Sequence, residues 1–216
     1  MEREDNVIIE KLEVGPFASN CYVVGDESSN AGMIIDPGAE AKTILQKVND
    51  FKLEIKRIVL THGHMDHVGA LKEVKEATGA QVAIHADDAD SLQSRDPLSM
   101  MFRLSLKAPP PADILLKGGD SVDIGNLRFL VLHTPGHTAG GICLLGEGVV
   151  FTGDTLFNFG IGRFDMPGGN GHQLLNNIHT KLMVLPDSTT VYPGHGPATT
   201  IGTERNWNPF LREESP

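Results

Sequence analysis

The stretch Thr61-His62-Gly63-His64-Met65-Asp66-His67 packs three imidazoles and a carboxylate into positions 62–67. It directly follows 55–60, a mostly apolar run that reads as a strand. In extended backbone, side chains two apart point the same way, so His62, His64 and Asp66 converge while His67 opens the next element beside them. Imidazole and carboxylate gathered at a strand end are the donor set of a metal site.

Upstream of this motif, strands are expected near 7–13, 20–25 and 31–36, each closed by Gly, Pro or Asp. A helix over 39–51 would set Ile44, Val48 and Phe51 on one side. Downstream, 68–77 reads as a helix ended by Gly79, 81–84 as a strand, and 86–94 as a short acidic helix. Asp87 and Asp88 read there as charges at a helix start, not as ligands. Residues 95–112 carry no clean period and end in Pro109, Pro110 and Pro111, which suits a surface connector or a lid. Further strands are expected near 121–124, 127–133, 141–145 and 149–152, then a helix over 171–183 and a strand at 189–192. Two strand-rich halves with helices between them point to an α/β (α+β) chain, two sheets face to face with helices outside.

The chain has 216 residues and a formal charge of −10, which counts against nucleic acid or an anionic membrane surface as partner. A small molecule is the expected partner. The charged first residues and the absence of a long apolar run predict no signal peptide and no membrane span, and so a cytoplasmic location, with an organelle matrix as the less favoured alternative. The two cysteines, Cys21 and Cys143, lie in apolar runs and read as buried thiols of a reducing compartment.

Three more groups sit at expected strand ends beside Gly or Pro, which allow the tight turns that aim a side chain inward. They are His137 in 133–138, Asp154 in 151–155 and His195 in 192–196. With the first motif they make five histidines and two aspartates, enough for two metal ions. A donor set without thiolate suits zinc, iron or manganese. Two such ions share a nucleophilic water whose pKa falls toward about 7.

On these motifs the chain resembles the metallo-β-lactamase fold superfamily of hydrolases across nearly its whole length. That implies one domain over 1–216, an αββα four-layer sandwich of two packed mixed β-sheets with helices outside. Within it, the stretch Gly153-Asp154-Thr155-Leu156-Phe157-Asn158-Phe159-Gly160-Ile161-Gly162-Arg163-Phe164-Asp165 is similar to the glyoxalase II group, the hydroxyacylglutathione hydrolases. The resemblance implies two divalent metal ions, zinc first, with iron or manganese open. His62, His64 and His137 would hold one ion, Asp66, His67 and His195 the other, and Asp154 would bridge them. It implies a metal-dependent hydrolase of a small thioester, S-lactoylglutathione or a related acyl-glutathione, acting through a hydroxide between the ions, formed from a water that Asp66 orients and whose proton it takes. Arg163 would clamp the anionic part of the substrate, and Asp36 would hold a ligand histidine. Asn158 and the pair Gly168-Gly169 would shape the same mouth.

The chain also departs from that group. Its longer members carry a C-terminal helical domain that contacts glutathione; here only 196–216 follow His195, and Asp165 stands where they place a tyrosine. Residues 199–211 resemble the short single-domain members instead. Trp207 and Phe210 are expected to pack onto the domain or onto a second subunit, which leaves a homodimer open. A second reading is a persulfide dioxygenase with one iron on His62, His137 and Asp154. A third is hydrolysis of a lactone, a β-lactam or a phosphodiester. Of the other histidines, His85 and His133 read as structural, His133 with some claim to orienting a ligand, while His172 and His179 read as surface or capping residues.

Overall fold

The computed structural model describes residues 7–93 and 109–211. β1 (Val7–Val14), β2 (Ser19–Asp26) and β3 (Ala31–Ile35) form an antiparallel meander. β4 (Glu54–Val59), β5 (Gln81–His85) and β6 (Ile114–Leu116) extend it in parallel. Parallel neighbours need crossovers; α1 (Ala41–Asp50) supplies one, and α2 (Met65–Val68) with α3 (Leu71–Thr78) the next. The second sheet contains β7 (Ser121–Ile124), β8 (Leu127–His133), β9 (Ile142–Gly146), β10 (Val149–Gly153), β13 (Thr190–Pro193) and β14 (Thr199–Thr200). Its order is β14-β13-β10-β9-β8-β7, with β10 and β13 parallel and every other pair antiparallel.

The strand pattern decides the layering. All eight residues of β2 are buried, the mark of a strand covered on both faces. Cys21 and Val23 face outward onto Ile44 and Val48 of α1 and Leu71 and Val74 of α3. Tyr22 and Val24 face inward and meet Phe129, Val131 and Phe151 of the second sheet. Truncating a fully buried ring such as Phe129 or Phe151 to alanine typically costs about 3–5 kcal/mol. On the far side, Cys143, Val150 and Val191 pack under Leu174, Ile178 and Leu182, from α4 (Gly171–Asn177) and the π-helical turn Ile178–Leu182 that continues it. The result is the αββα sandwich of two mixed sheets.

Several expectations need correction. The helix expected over 68–77 is two: α2 starts earlier, at Met65, and the chain breaks at Gly69-Ala70, where the Ala70 amide turns away to donate to Pro37 O at 2.9 Å. Asp66 and His67 therefore lie on a helical turn, and the extended alternation is broken: the chain bends at His62 and is extended at His64. The short acidic segment is a 3-10 helix, Ala86–Gln93. β6, the small hairpin of β11 (Leu156–Phe157) and β12 (Gly160–Ile161), β14 and α5 (Ile201–Trp207) were not expected. Most of the lid or connector at 95–112 lies outside the described residues. Trp207 and Phe210 are 62% and 53% exposed on the domain, which leaves the second subunit of the expectation open. No described helix is long and apolar enough to cross a membrane.

Candidate metal centre

The loops that leave the C-terminal ends of β4, β8, β10 and β13 bring His62, His64, Asp66, His67, His137, Asp154 and His195 to one edge of the sandwich. Each loop is held by a specific bond. The Ile142 amide donates to Thr61 O at 2.9 Å, and the Asn20 amide donates to Gly194 O at 2.7 Å. The Asn20 side chain donates to Pro193 O and Gly196 O, both at 2.9 Å, and Tyr22 Oη donates to Pro193 O at 2.6 Å. The start of β2 thus fixes the turn that carries His195. Gly194 is required there, because a Cβ at that position would fall onto Asp154 Oδ1.

Two groups of donors result, each with its ligand atoms within 4.8 Å of one another: His62, His64 and His137, and Asp66, His67 and His195. Asp154 faces both. Its Oδ2 lies 3.5 Å from His137 Nε2 and 3.6 Å from His195 Nε2, and its Oδ1 lies 3.4 Å from His67 Nε2. Asp66 Oδ2 lies 3.5 Å from His67 Nε2 and 3.3 Å from His195 Nε2. Ligands about 2.0–2.1 Å from a tetrahedral ion are roughly 3.3–3.4 Å apart, so these spacings suit donors that share ions.

Among the described residues the hydrogen-bond network leaves two buried inward imidazole nitrogens without a partner. Thr61 Oγ1 donates to Asp36 Oδ2 at 2.6 Å, so it accepts from His62 Nδ1 at 3.0 Å, which frees His62 Nε2. His67 Nδ1 donates to Asp36 Oδ2 at 3.0 Å, which frees its Nε2, and His137 Nδ1 donates to Arg163 O at 2.6 Å, which turns its Nε2 toward His64 Nδ1 at 2.9 Å. A ligand imidazole tied through its other N–H is the usual arrangement at metal sites. Among the described residues, four buried side-chain polar atoms lack a hydrogen-bond partner, and three of them are His62 Nε2, His67 Nε2 and Asp154 Oδ1. Such orphans normally cost about 1–3 kcal/mol each, and their concentration at one point fits a site built for cations.

The electrostatics agree. Burial, then the neighbouring His67, His64 and His137, push the His62 imidazole well below its ordinary range; burial and His137 also lower His64. Both are neutral and able to bind metal at neutral pH. Burial works to raise the Asp66 carboxyl, yet contact with His195, the charge of His67 and the Ser19 hydroxyl, which donates to Oδ2 at 2.8 Å, hold it well below the usual carboxylate range. His67 is pushed up to about 10: burial opposes this, but Asp154, Asp36 and Asp66 outweigh it. Below that value the metal-free imidazole keeps its proton, and an ion at Nε2 has to displace it. Ion uptake near pH 7.5 is therefore expected to release at least one proton per chain, the one His67 gives up, with affinity rising as pH increases toward 10. Calorimetry in buffers of different ionisation enthalpy measures this, and a buffer-independent heat would contradict it.

The remaining expected residues divide. Asp36 orients His67 and Thr61, as above. The Arg163 guanidinium is exposed and paired with Asp165, Nε to Oδ1 at 2.8 Å and Nη2 to Oδ2 at 2.9 Å, while its carbonyl oxygen is the group that holds His137. His133 touches no ligand; its ring stacks on His85 at 3.9 Å and 14°, and its Nε2 donates to Ala139 O at 2.9 Å. His85, Asp87 and His133 also bring three donors together, but an ion cannot lie in the planes of two nearly parallel stacked rings. His172 and His179 are exposed. Asp88, read as a helix-start charge, is instead buried at 5% exposure, with its carboxylate bonded to Gly63, Thr138 and Gly140. Ser19, at the start of β2, and Thr61, in the bend after β4, were missed because a single hydroxyl carries no spacing signal.

Comparison with known proteins agrees with this arrangement. The model of the metallo-beta-lactamase superfamily matches residues 14–195. The hydroxyacylglutathione hydrolase GloC of Haemophilus influenzae is 38% identical, over 96% of this chain and 99% of its own. The crystal structure of the B3 metallo-beta-lactamase BLEG-1 superimposes with TM-score 0.89 at 37% identity, over 95% of this chain and 100% of its own. TTHA1623 in a di-iron-bound form gives TM-score 0.85 at 36% identity, over 94% and 100%. Fold, matched family model and relatives place this chain in the metallo-β-lactamase superfamily of metallohydrolases.

Proposed function

We propose that the protein is a two-metal hydrolase of a small thioester, with S-lactoylglutathione or a related acyl-glutathione as substrate. The observation that carries the two-ion part is the pair of donor groups with Asp154 facing both, whose His62 Nε2, His67 Nε2 and Asp154 Oδ1 lack hydrogen-bond partners. The likeness to GloC, a hydroxyacylglutathione hydrolase, supports the thioester. His62, His64 and His137 would hold one ion, Asp66, His67 and His195 the other, with Asp154 between them. Such ions acidify water toward a pKa of about 7 and polarise a carbonyl oxygen.

The chain's own residues do the rest. Asp66, kept ionised and fixed by Ser19, orients the attacking water through Oδ2. Water adds to the thioester carbonyl carbon, the carbon–sulfur bond breaks, and the thiolate takes a proton to leave as a thiol beside a carboxylic acid. Arg163, on the exposed loop after β12, meets a substrate carboxylate by exchanging its Asp165 partner.

The test is a substrate panel on the metal-loaded protein: S-lactoylglutathione, a β-lactam, and glutathione persulfide with an oxygen electrode. Thioester cleavage with kcat/KM of at least about 10⁴ M⁻¹s⁻¹ is expected. Arg163→Gln should raise KM by roughly tenfold with kcat unchanged, the signature of a lost binding contact. Activity confined to the β-lactam, or oxygen uptake in place of thioester cleavage, would overturn the proposal.

A further inference from the structure

We infer that Asp88 is a positioning residue for the three-imidazole group: it sets the separation of the loop carrying His62 and His64 from the loop carrying His137, and so the affinity for the ion held between them. The inference rests on the two-ion reading above. Asp88 belongs to neither loop; it lies on the 3-10 helix after β5. Its Oδ2 accepts from the Gly63 amide at 3.2 Å and the Thr138 hydroxyl at 2.7 Å, and its Oδ1 from the Gly140 amide at 2.6 Å. Gly63 stands between His62 and His64, and Thr138 adjoins His137. One buried carboxylate therefore ties both ligand-bearing segments, and the edge it spans is the 2.9 Å approach of His64 Nδ1 to His137 Nε2.

The fit around it is close. A Cβ at Gly140 would come within 2.6 Å of the Asp88 amide nitrogen, so only glycine lets the 134–141 loop settle onto this strut. The same loop has a second brace from the end of β5, where His85 stacks on His133, whose Nε2 holds Ala139 O. Removing the carboxylate leaves the buried Gly140 amide and the half-buried Gly63 amide unpaired and frees the loops to drift apart. Lost partners one shell out from a metal ligand usually cost 10–100-fold in metal affinity.

Asp26 separates this role from mere structural support. It too is a buried carboxylate with several donors, Ser28 N, Ser28 Oγ, Ser29 Oγ and Asn126 N, but it sits at the other end of β2 from Ser19, and none of those partners adjoins a ligand. Wild type, Asp88→Ala, Asp88→Asn and Asp26→Asn are loaded with zinc and dialysed against graded chelator. Zinc per chain is then measured beside the unfolding temperature of each metal-free protein. Asp88→Ala is expected to give up one of two ions at about 10–100-fold lower chelator strength, and Asp88→Asn to fall between it and wild type. Asp26→Asn should lose stability without losing either ion sooner. If Asp88→Ala does not fold, Asp88→Asn carries the comparison. Retention equal to the Asp26 variant, or parallel loss of both ions, overturns the inference. A wild type that takes up one ion overturns the two-ion reading instead; the comparison is then made on that ion, and equal retention again overturns the role of Asp88.

Discussion

Replacing Asp154 by alanine is expected to cut turnover by on the order of a thousandfold or more and to leave at most one tightly held ion per chain. Asp154 is the one carboxylate whose two oxygens face members of both donor groups, His137 on one side and His67 and His195 on the other. Without it, five imidazoles and Asp66 alone would have to offset the charge of two divalent ions. Its side chain is only 12% exposed, so water compensates poorly for the missing charge. Elemental analysis and thioester turnover on one preparation test this, with cooperative unfolding of the variant as the control for folding. Two ions and wild-type turnover in Asp154→Ala would sink the bridging role.

The second large effect is expected at Asp36. Its carboxylate, 1% exposed, accepts from the Thr61 amide at 2.7 Å, the Thr61 hydroxyl at 2.6 Å and His67 Nδ1 at 3.0 Å. Alanine there strands a buried amide and an imidazole whose charge Asp36 helps to hold. It also leaves a residue with φ 51° in the left-handed region, which aspartate and asparagine tolerate better than alanine. Asp36→Ala should cost about 3–5 kcal/mol of metal-free stability, the usual result of removing one partner of a buried pair. Metal affinity at His67 should drop 10–100-fold besides. Asp36→Asn, which keeps an acceptor for Thr61, should recover part of the stability. Denaturant unfolding of the metal-free proteins gives the answer, and a loss under about 1 kcal/mol in Asp36→Ala would contradict it.

The convergence of the seven residues on one edge was legible because His62, His64, His137, Asp154 and His195 stand just past strands beside Gly, a local signal, with Asp66 and His67 following in the same short motif. The layering was legible for the same reason: runs such as 20–25 and 31–36 are apolar on both faces, as strands covered on both sides must be. Asp88 was not legible. Its partners Thr138 and Gly140 lie 50 and 52 residues away, and Ala86-Asp87-Asp88-Ala89-Asp90 has the composition of an ordinary exposed helix start. The break between α2 and α3 was hidden likewise, since it depends on the long-range bond from Ala70 to Pro37. β14 pairs through only two residues, too few for an alternating pattern to show. Trp207 and Phe210 are a different case: hydrophobicity alone does not say whether the domain or a second subunit covers them, and both stay largely exposed on the domain, one at the end of α5 and one just after it.

The most direct measurement is the number of metal ions per chain in protein expressed with zinc and iron both supplied, compared with the same count in His195→Ala. Two ions in the wild type, falling to one in the variant while the ion on His62, His64 and His137 stays, is the predicted result. A wild type with a single ion, unchanged by loss of His195, would contradict the two-ion centre.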